Sequence, residues 1–348
     1  MPGFSSYDDI INEMTTNGKK LEWNFNKIGV AMQGAGFWHS TWKAAGTPGA
    51  GSNPAASPGE VGDNLTGSMN WAAQTPDLKS IVTLGAVSTQ NCTLMLYDRL
   101  WGVGGLSSAS IGAKAVTSGN LSRYGGAVAS AIISGASNAS PIVITTSSAH
   151  GLFTGDVVTI ASVGGNTAAN GTWVVTYLTS TTFSLNGSTG NGAYTSGGTI
   201  TRIANDVQAW AEVTTASTTT VGVMNLSSYT NQSGTAARAG GNISWPAAAT
   251  VVGTMIGPFP LQAGDTGVRS IETGITIGTA NTAGVFNALL IKPLAYLPLL
   301  ANQWNERDLV LQMTSLPQVF DAASLAIAVL ATSATALNLW GNLKLAYG

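Results

Sequence analysis

Two histidines, one cysteine and 16 carboxylates are what this 348-residue chain offers to acid–base, nucleophilic or metal chemistry. A histidine-based triad or a zinc site would have to draw on His39 and His150 alone. His39 stands between Trp38 and Ser40 with Phe37 and Trp42 close by, which reads as an aromatic core or interface patch. His150 lies in an Ala-His-Gly-Leu turn, where capping or packing against the turn is its expected work. Cys92 sits in an apolar, strand-like run that favours an inert buried thiol, and as the single cysteine it has no disulfide partner in the chain. Sugar cleavage would need a spaced pair of carboxylates, and Asp98, Asp156, Asp265 and the Glu306/Asp308 pair show no such spacing. In Thr-Gly-Asp156 and Ala-Gly-Asp265 the carboxylate suits local capping of backbone N–H groups, and Asp98 beside Arg99 suits an ion pair holding a loop. Gly18-Lys19-Lys20 lacks the upstream glycine and the following hydroxyl residue of a phosphate-binding loop. The expectation is therefore a protein that is not an enzyme and carries no cofactor and no metal.

The elements that position these residues read as β-strands. With 44% hydrophobic residues the chain is long and apolar enough to bury a sizeable core. Charged residues make up only 9%, which points to a surface hidden in association or covered by hydroxyl and amide groups. The net charge of −2, with 14 scattered basic residues, leaves no footprint for nucleic acid. The apolar runs Leu289 to Ala301 and Leu325 to Leu337 are too short to span a membrane, and the opening MPGFSSYDD lacks the regions of a signal peptide. Tyr7, Ile10, Ile11 and Met14 share a helical face, with Ser6 and Asp9 as a capping box and Gly18 as the stop. Leu21, Trp23, Phe25 and Ile28 then read as a first strand. Residues 46–67 form a Pro- and Gly-rich loop expected to lie across a neighbour in an assembly.

Further strands are predicted at Ser80 to Ser88, Cys92 to Tyr97, Val207 to Val213, Thr218 to Met224, Val268 to Ile277, Gly284 to Ile291, Leu325 to Ala331 and Leu337 to Tyr347. Asn305 to Gln312 is left open between a short helix and a covering loop. The fold class expected is all-β: a jelly-roll-like sandwich with a short N-terminal helix. Into this host, residues 1–136 and 204–348, a small β-module over 137–203 is inserted. Its Val, Ile, Thr and aromatic residues alternate between Asn-Gly and Gly-Gly turns.

The inserted stretch resembles a module found in many tailed-phage virion proteins. The residues that carry the likeness run from Ile144-Thr145-Thr146 and His150-Gly151-Leu152 through Gly155-Asp156, Asn166 and Asn170-Gly171-Thr172-Trp173. They end in Phe183-Ser184-Leu185, Gly187-Ser188, Gly190, Gly192-Ala193-Tyr194 and Gly198. The flanks, in the opening SSYDDIINEMTTNGKKLEWNFNK, FWHSTWKAAGTPGAGSNPA, Leu96 to Trp101 and Phe259 to Ser270, also look like phage and prophage virion-structural proteins. The resemblance implies a phage particle component, made in the host cytoplasm and placed on the head surface.

Its first form is a decoration or cement protein, a homotrimer bound to the major capsid protein, without nucleic-acid or membrane partners. Phe4, Tyr7, Trp23, Phe25, Trp38 and Trp42 are the candidate assembly-interface residues. The alternative is a tail, neck or fibre component that binds host-surface glycan through Trp173 or Tyr194. The length would also suit a major capsid protein, but no long spine helix is visible in the sequence.

Overall fold

The computed structural model describes residues 4, 6–56, 59–74, 77–116, 121, 123–124, 132–152, 154–217, 222–245, 251–280, 283–312 and 316–348. The fold is all-β and sandwich-like, with the short N-terminal helix where the spacing predicts it, at Tyr7–Thr15. The Ser6 side chain accepts from the Asp9 N–H, as the capping signature requires, and Gly18 takes φ +66° beyond the helix end.

Two strands run through the middle of the host. Cys92–Ser107 and Val285–Leu299 pair antiparallel over their full lengths, from Cys92 opposite Leu299 to Ser107 opposite Val285. Around them a ring of six strands closes on itself. Val285–Leu299 pairs with Gln208–Thr215, which continues through Thr254–Ile256, Trp38–Ser40 and Leu325–Ala331 back to Cys92–Ser107. Inside the ring Trp42, Met95, Tyr97, Trp210, Met255, Leu289 and Ile291 pack together.

One outer half of the ring is covered by a sheet of Lys20–Val30, Ala45–Thr47, Lys79–Ser88, Leu337–Tyr347 and Asn305–Asp308, hereafter the outer sheet; Gln318–Val319 also pairs with Lys79–Ser88. The other half is covered by a four-stranded sheet of Gly112–Lys114, Gly222–Asn231, Asn242–Trp245 and Val268–Ile277. The central strands thus have apolar partners on both faces, and Cys92–Ser107 is buried almost continuously from Cys92 to Gly104. The expected strand Thr218–Met224 is found from Gly222 onward, its first four positions lying outside the described residues.

Both central strands are longer than their sequence signals. Glycines and the Asp98-Arg99 pair interrupt the apolar run of the first, and Pro293 and Pro298 break the second. The prolines are tolerated because the flanking strand Gln208–Thr215 stops opposite Ile291, so the rest of Val285–Leu299 has one ladder partner and spare N–H positions. Asn305 to Gln312 resolves into a strand, Asn305–Asp308, followed by one helical turn, Leu309–Gln312.

The described part of the loop, residues 46–56 and 59–67, lies across its own chain. The Trp42 indole donates to the Ser52 carbonyl at 2.7 Å, Lys43 Nζ to Gly51 O at 2.7 Å, and the Gly104 N–H to Ala55 O at 2.9 Å.

A further six-stranded sheet is made by Ile133–Ala136, Ile142–Thr146, Val157–Ala161, Gly171–Thr179, Thr182–Leu185 and Thr199–Arg202, which pair with one another. Its own core holds Ile142, Ile144, Val158, Ile160, Val175, Phe183 and Leu185. The sheet begins at Ile133, ahead of the position 137 expected from sequence. It does not simply project outward. Gln318 of the host donates to the Thr154 carbonyl, and a cleft of about 390 Å³ lies between Leu152 and Tyr177 on one side and Leu78 and Phe320 on the other.

Candidate functional site

The six candidate interface residues do not form one surface. Phe4, Phe25 and Trp42 are buried within the chain, which corrects their assignment as free assembly contacts. Phe4 packs in the core between ring and outer sheet, beside Gly348. Phe25 faces inward across the outer sheet from Gly341, where a side chain would lie 2.3 Å from the Phe25 ring. Trp42 fills the ring and is covered by the Arg99 guanidinium, 4.7 Å from its centroid. Trp23 and Trp38 are half-buried, edge-on to Trp71 at 5.6 Å and to Tyr296 at 6.1 Å respectively. Of the six, Tyr7 is the one that stands open, 46% exposed.

The helix explains why. Ile10 is buried and Met14 packs against the core, so the helix closes the end of the sandwich beside Leu337–Tyr347. Tyr7 and Ile11, the latter 56% exposed, form the other edge of the same apolar stripe.

The titratable groups are bonded inside the chain. His150 accepts the Leu152 N–H on Nδ1 at 3.0 Å, which places its proton on Nε2, 3.0 Å from the Thr179 carbonyl. With its ring edge-on to Phe183 at 5.0 Å, it is the turn-capping residue expected, and burial holds its pKa below the ordinary value. His39 Nε2 accepts the Gln33 N–H at 2.9 Å, and burial pushes its pKa down to about 4. Cys92 is buried and its thiol pKa is raised by that burial.

Asp98 does not pair with its neighbour Arg99. In a strand, adjacent side chains point to opposite faces, so the two reach different partners. Asp98 accepts two bonds from Arg123, at 2.6 and 2.5 Å, while Arg123 also meets Asp63 at 2.5 Å. Burial works against the Arg123 charge, but these carboxylates raise its pKa above the usual range. Arg99 faces Glu212 at 3.4 Å, and Asn287 donates to the same carboxylate oxygen at 3.1 Å.

The carboxylates of the two Gly-Asp turns also reach side chains distant in sequence. Asp156 pairs with Arg202 at 2.9 Å, and Asp265 accepts from Tyr229, Asn231 and Arg238 at 2.6, 2.7 and 2.9 Å. Among the described residues no group of three or more His, Cys, Asp or Glu is placed to hold a metal ion.

Trp173 and Tyr194, the aromatic candidates of the module, have their polar ends tied locally. The Trp173 indole donates to Ala169 O at 2.9 Å, and the Tyr194 hydroxyl to Ile133 O at 2.8 Å. Exposed tryptophans are found instead on the host, where sequence reasoning singled out neither: Trp304, 51% exposed, and Trp340, 40% exposed, both at the solvent face of the outer sheet. The usable signal was the alternation in Leu337–Tyr347, which puts Trp340 on the face opposite Leu339 and Leu343.

Comparison with protein families finds one region of likeness. Residues 138–204 are similar to the ubiquitin-activating enzyme E1 FCCH domain. The similarity covers less than a fifth of the chain and coincides with the inserted sheet. Among curated proteins nothing matches the chain. The FCCH-like module contributes a compact β-unit whose ionic pair, Asp156 with Arg202, ties the start of one strand to the end of another.

Proposed function

We propose that this chain is a non-enzymatic structural component of a tailed-phage particle: a decoration or cement protein that binds the major capsid protein on the outer shell and stabilises the head. The observation that carries this reading is the half-covered helix Tyr7–Thr15 on a charge-poor host. Ile10 and Met14 anchor the helix to the core, while Tyr7 and Ile11 stay open as a ready contact for a neighbour.

The surrounding electrostatics suit permanent association. At least seven of the 14 Lys and Arg side chains, Lys19, Lys79, Arg99, Arg123, Arg202, Arg238 and Lys292, are engaged in internal ion pairs. Association through such a surface desolvates few free charges. In this reading the protein acts as a homotrimer, and its stabilising effect is the sum of many weak contacts repeated over the lattice.

The decisive experiment is quantitative mass spectrometry of purified particles, giving the copy number relative to the major capsid protein. A lattice-scale copy number supports cement. A number matching a single ring of subunits moves the protein to the tail, neck or a fibre, the station of the glycan-binding alternative. Ile11→Glu, on the exposed edge of the helix, is expected to detach the protein from particles without unfolding it, as read by sedimentation and circular dichroism. Retention of the variant at wild-type occupancy would remove the helix from the interface.

A further inference from the structure

The outer sheet carries a trough whose chemistry is unlike the rest of the surface. Asn24, Asn342, Gly85 and Glu306 lie directly opposite one another across four adjacent strands, so their side-chain positions share one face. Gly85 leaves the gap in this row. A methyl group there would stand 2.5 Å from Trp304 Cζ2, 3.0 Å from Asn342 Oδ1 and 3.2 Å from Glu306 Oε2, so the missing side chain lets the Trp304 ring lie down on the sheet beside Asn342 and Glu306. Trp340 stands one row further along, roughly 7 Å away by strand geometry, opposite Asn26 and Val87. A cavity of about 520 Å³, open to solvent, lies between Asn24, Asn26, Trp304, Trp340 and Asn342, with Glu306 beside it, within the range of small-molecule sites. Asn342 Oδ1 is buried beneath it and accepts no hydrogen bond from the described residues.

We infer that this trough, at Trp304, Trp340, Asn342 and Glu306, is a binding site for a neutral carbohydrate chain. The apolar C–H face of a sugar ring is the complement of an exposed indole, and its hydroxyls are donors for the waiting acceptors. The exposed Asn24 amide in the trough wall and the exposed Glu306 carboxylate beside it are placed to accept those hydroxyls. The charge balance leans against acidic sugars: Glu22, Glu306 and Asp308 lie on or beside this face, against Lys20 and Lys344. The open trough accepts a chain lengthwise rather than a buried single ring. The site is independent of the module and of the helix edge, and it stands whether the protein belongs to head or tail.

The test is titration of the full chain with maltohexaose, cellohexaose, N-acetylchitohexaose and, as the acidic arm, hexagalacturonate, followed by tryptophan fluorescence and saturation-transfer NMR. At least one neutral oligomer is expected to bind with a Kd near roughly 1 mM or tighter. Trp304→Ala and Trp340→Ala are each expected to weaken it about tenfold, the weight of one aromatic stacking contact. Gly85→Ala, whose methyl group would push the Trp304 ring off its seat, should weaken it as well while the thermal melt stays cooperative. The assignment is overturned if no neutral oligomer binds at roughly 10 mM, if binding survives all three substitutions, or if hexagalacturonate binds best. It is equally overturned if the tryptophan variants alter oligomeric mass in light scattering and leave sugar binding unchanged, which would make this face a protein contact.

Discussion

The aromatic residues of the inserted module and those of the outer sheet differ in what their neighbours ask of them. In the module, Trp173, Tyr194 and His150 each give their polar atoms to carbonyls or N–H groups of the same unit. On the outer sheet, Trp304 and Trp340 stand open beside Asn342, whose Oδ1 has no hydrogen-bond partner among the described residues. An aromatic residue in a β-rich sequence therefore says little about recognition until its polar atom and its exposed face have been accounted for. Tied side chains maintain the fold, and removing them should cost stability. Open ones should cost binding and leave the fold intact.

The strongest challenge to this division is Asp98→Ala, which takes from the buried Arg123 its fully buried counter-charge and leaves it the partly exposed Asp63. Breaking such a pair is expected to cost about 3–5 kcal/mol, read as a lower urea midpoint. Replacing both partners, Asp98→Ala with Arg123→Met, should recover much of it, and no recovery would show that the pair is not acting as a unit.

Acid tests the division next. The fold holds the His39 pKa at about 4 against an ordinary 6.5, so folding favours the neutral ring. The contribution is complete above about pH 6.5 and is lost as pH falls from there toward about 4, up to roughly 3 kcal/mol. His39→Gln should flatten that part of the stability profile, and an unchanged acid limb would assign it to other groups.

Within the module, His150→Ala should cost about 2 kcal/mol through its two lost hydrogen bonds and edge contacts. Faster hydrogen exchange should be confined to residues 133–202, and exchange rising throughout the host would mean that the module and host unfold together. The smallest effects give the sharpest comparison. Trp173→Phe should lose about 1 kcal/mol with its bond to Ala169, whereas Trp304→Ala should stay within about 0.5 kcal/mol. The reverse order in thermal melts would undo the distinction between tied and open aromatics.

Much of the fold was legible because alternation and helix capping act locally. The strand Leu325–Ala331 and the helix at Tyr7–Thr15 carry their signals within a few residues. The closed ring was not legible, because closure depends on which distant strands meet. The same reason hid the partners of Asp98 and Arg99: adjacency in sequence suggested a pair, but the strand separates them to opposite faces. Phe4, Phe25 and Trp42 were drawn to an interface by their size, whereas large aromatics also fill cores. The trough was missed because it joins strands far apart in sequence, and because the seat of Trp304 is Gly85, a residue with no side chain to signal it.

The pairing of Lys20–Val30 with Leu337–Tyr347 has a consequence for how the chain is made. The ribosome releases the early strand long before its partner, so the outer sheet stays unfinished until residues 337–347 have emerged. The FCCH-like sheet, built from neighbouring stretches of sequence, can close meanwhile. Nascent chains would therefore present a finished module beside an open, apolar host, and the interval before residues 337–347 arrive is when the protein most needs protection from aggregation.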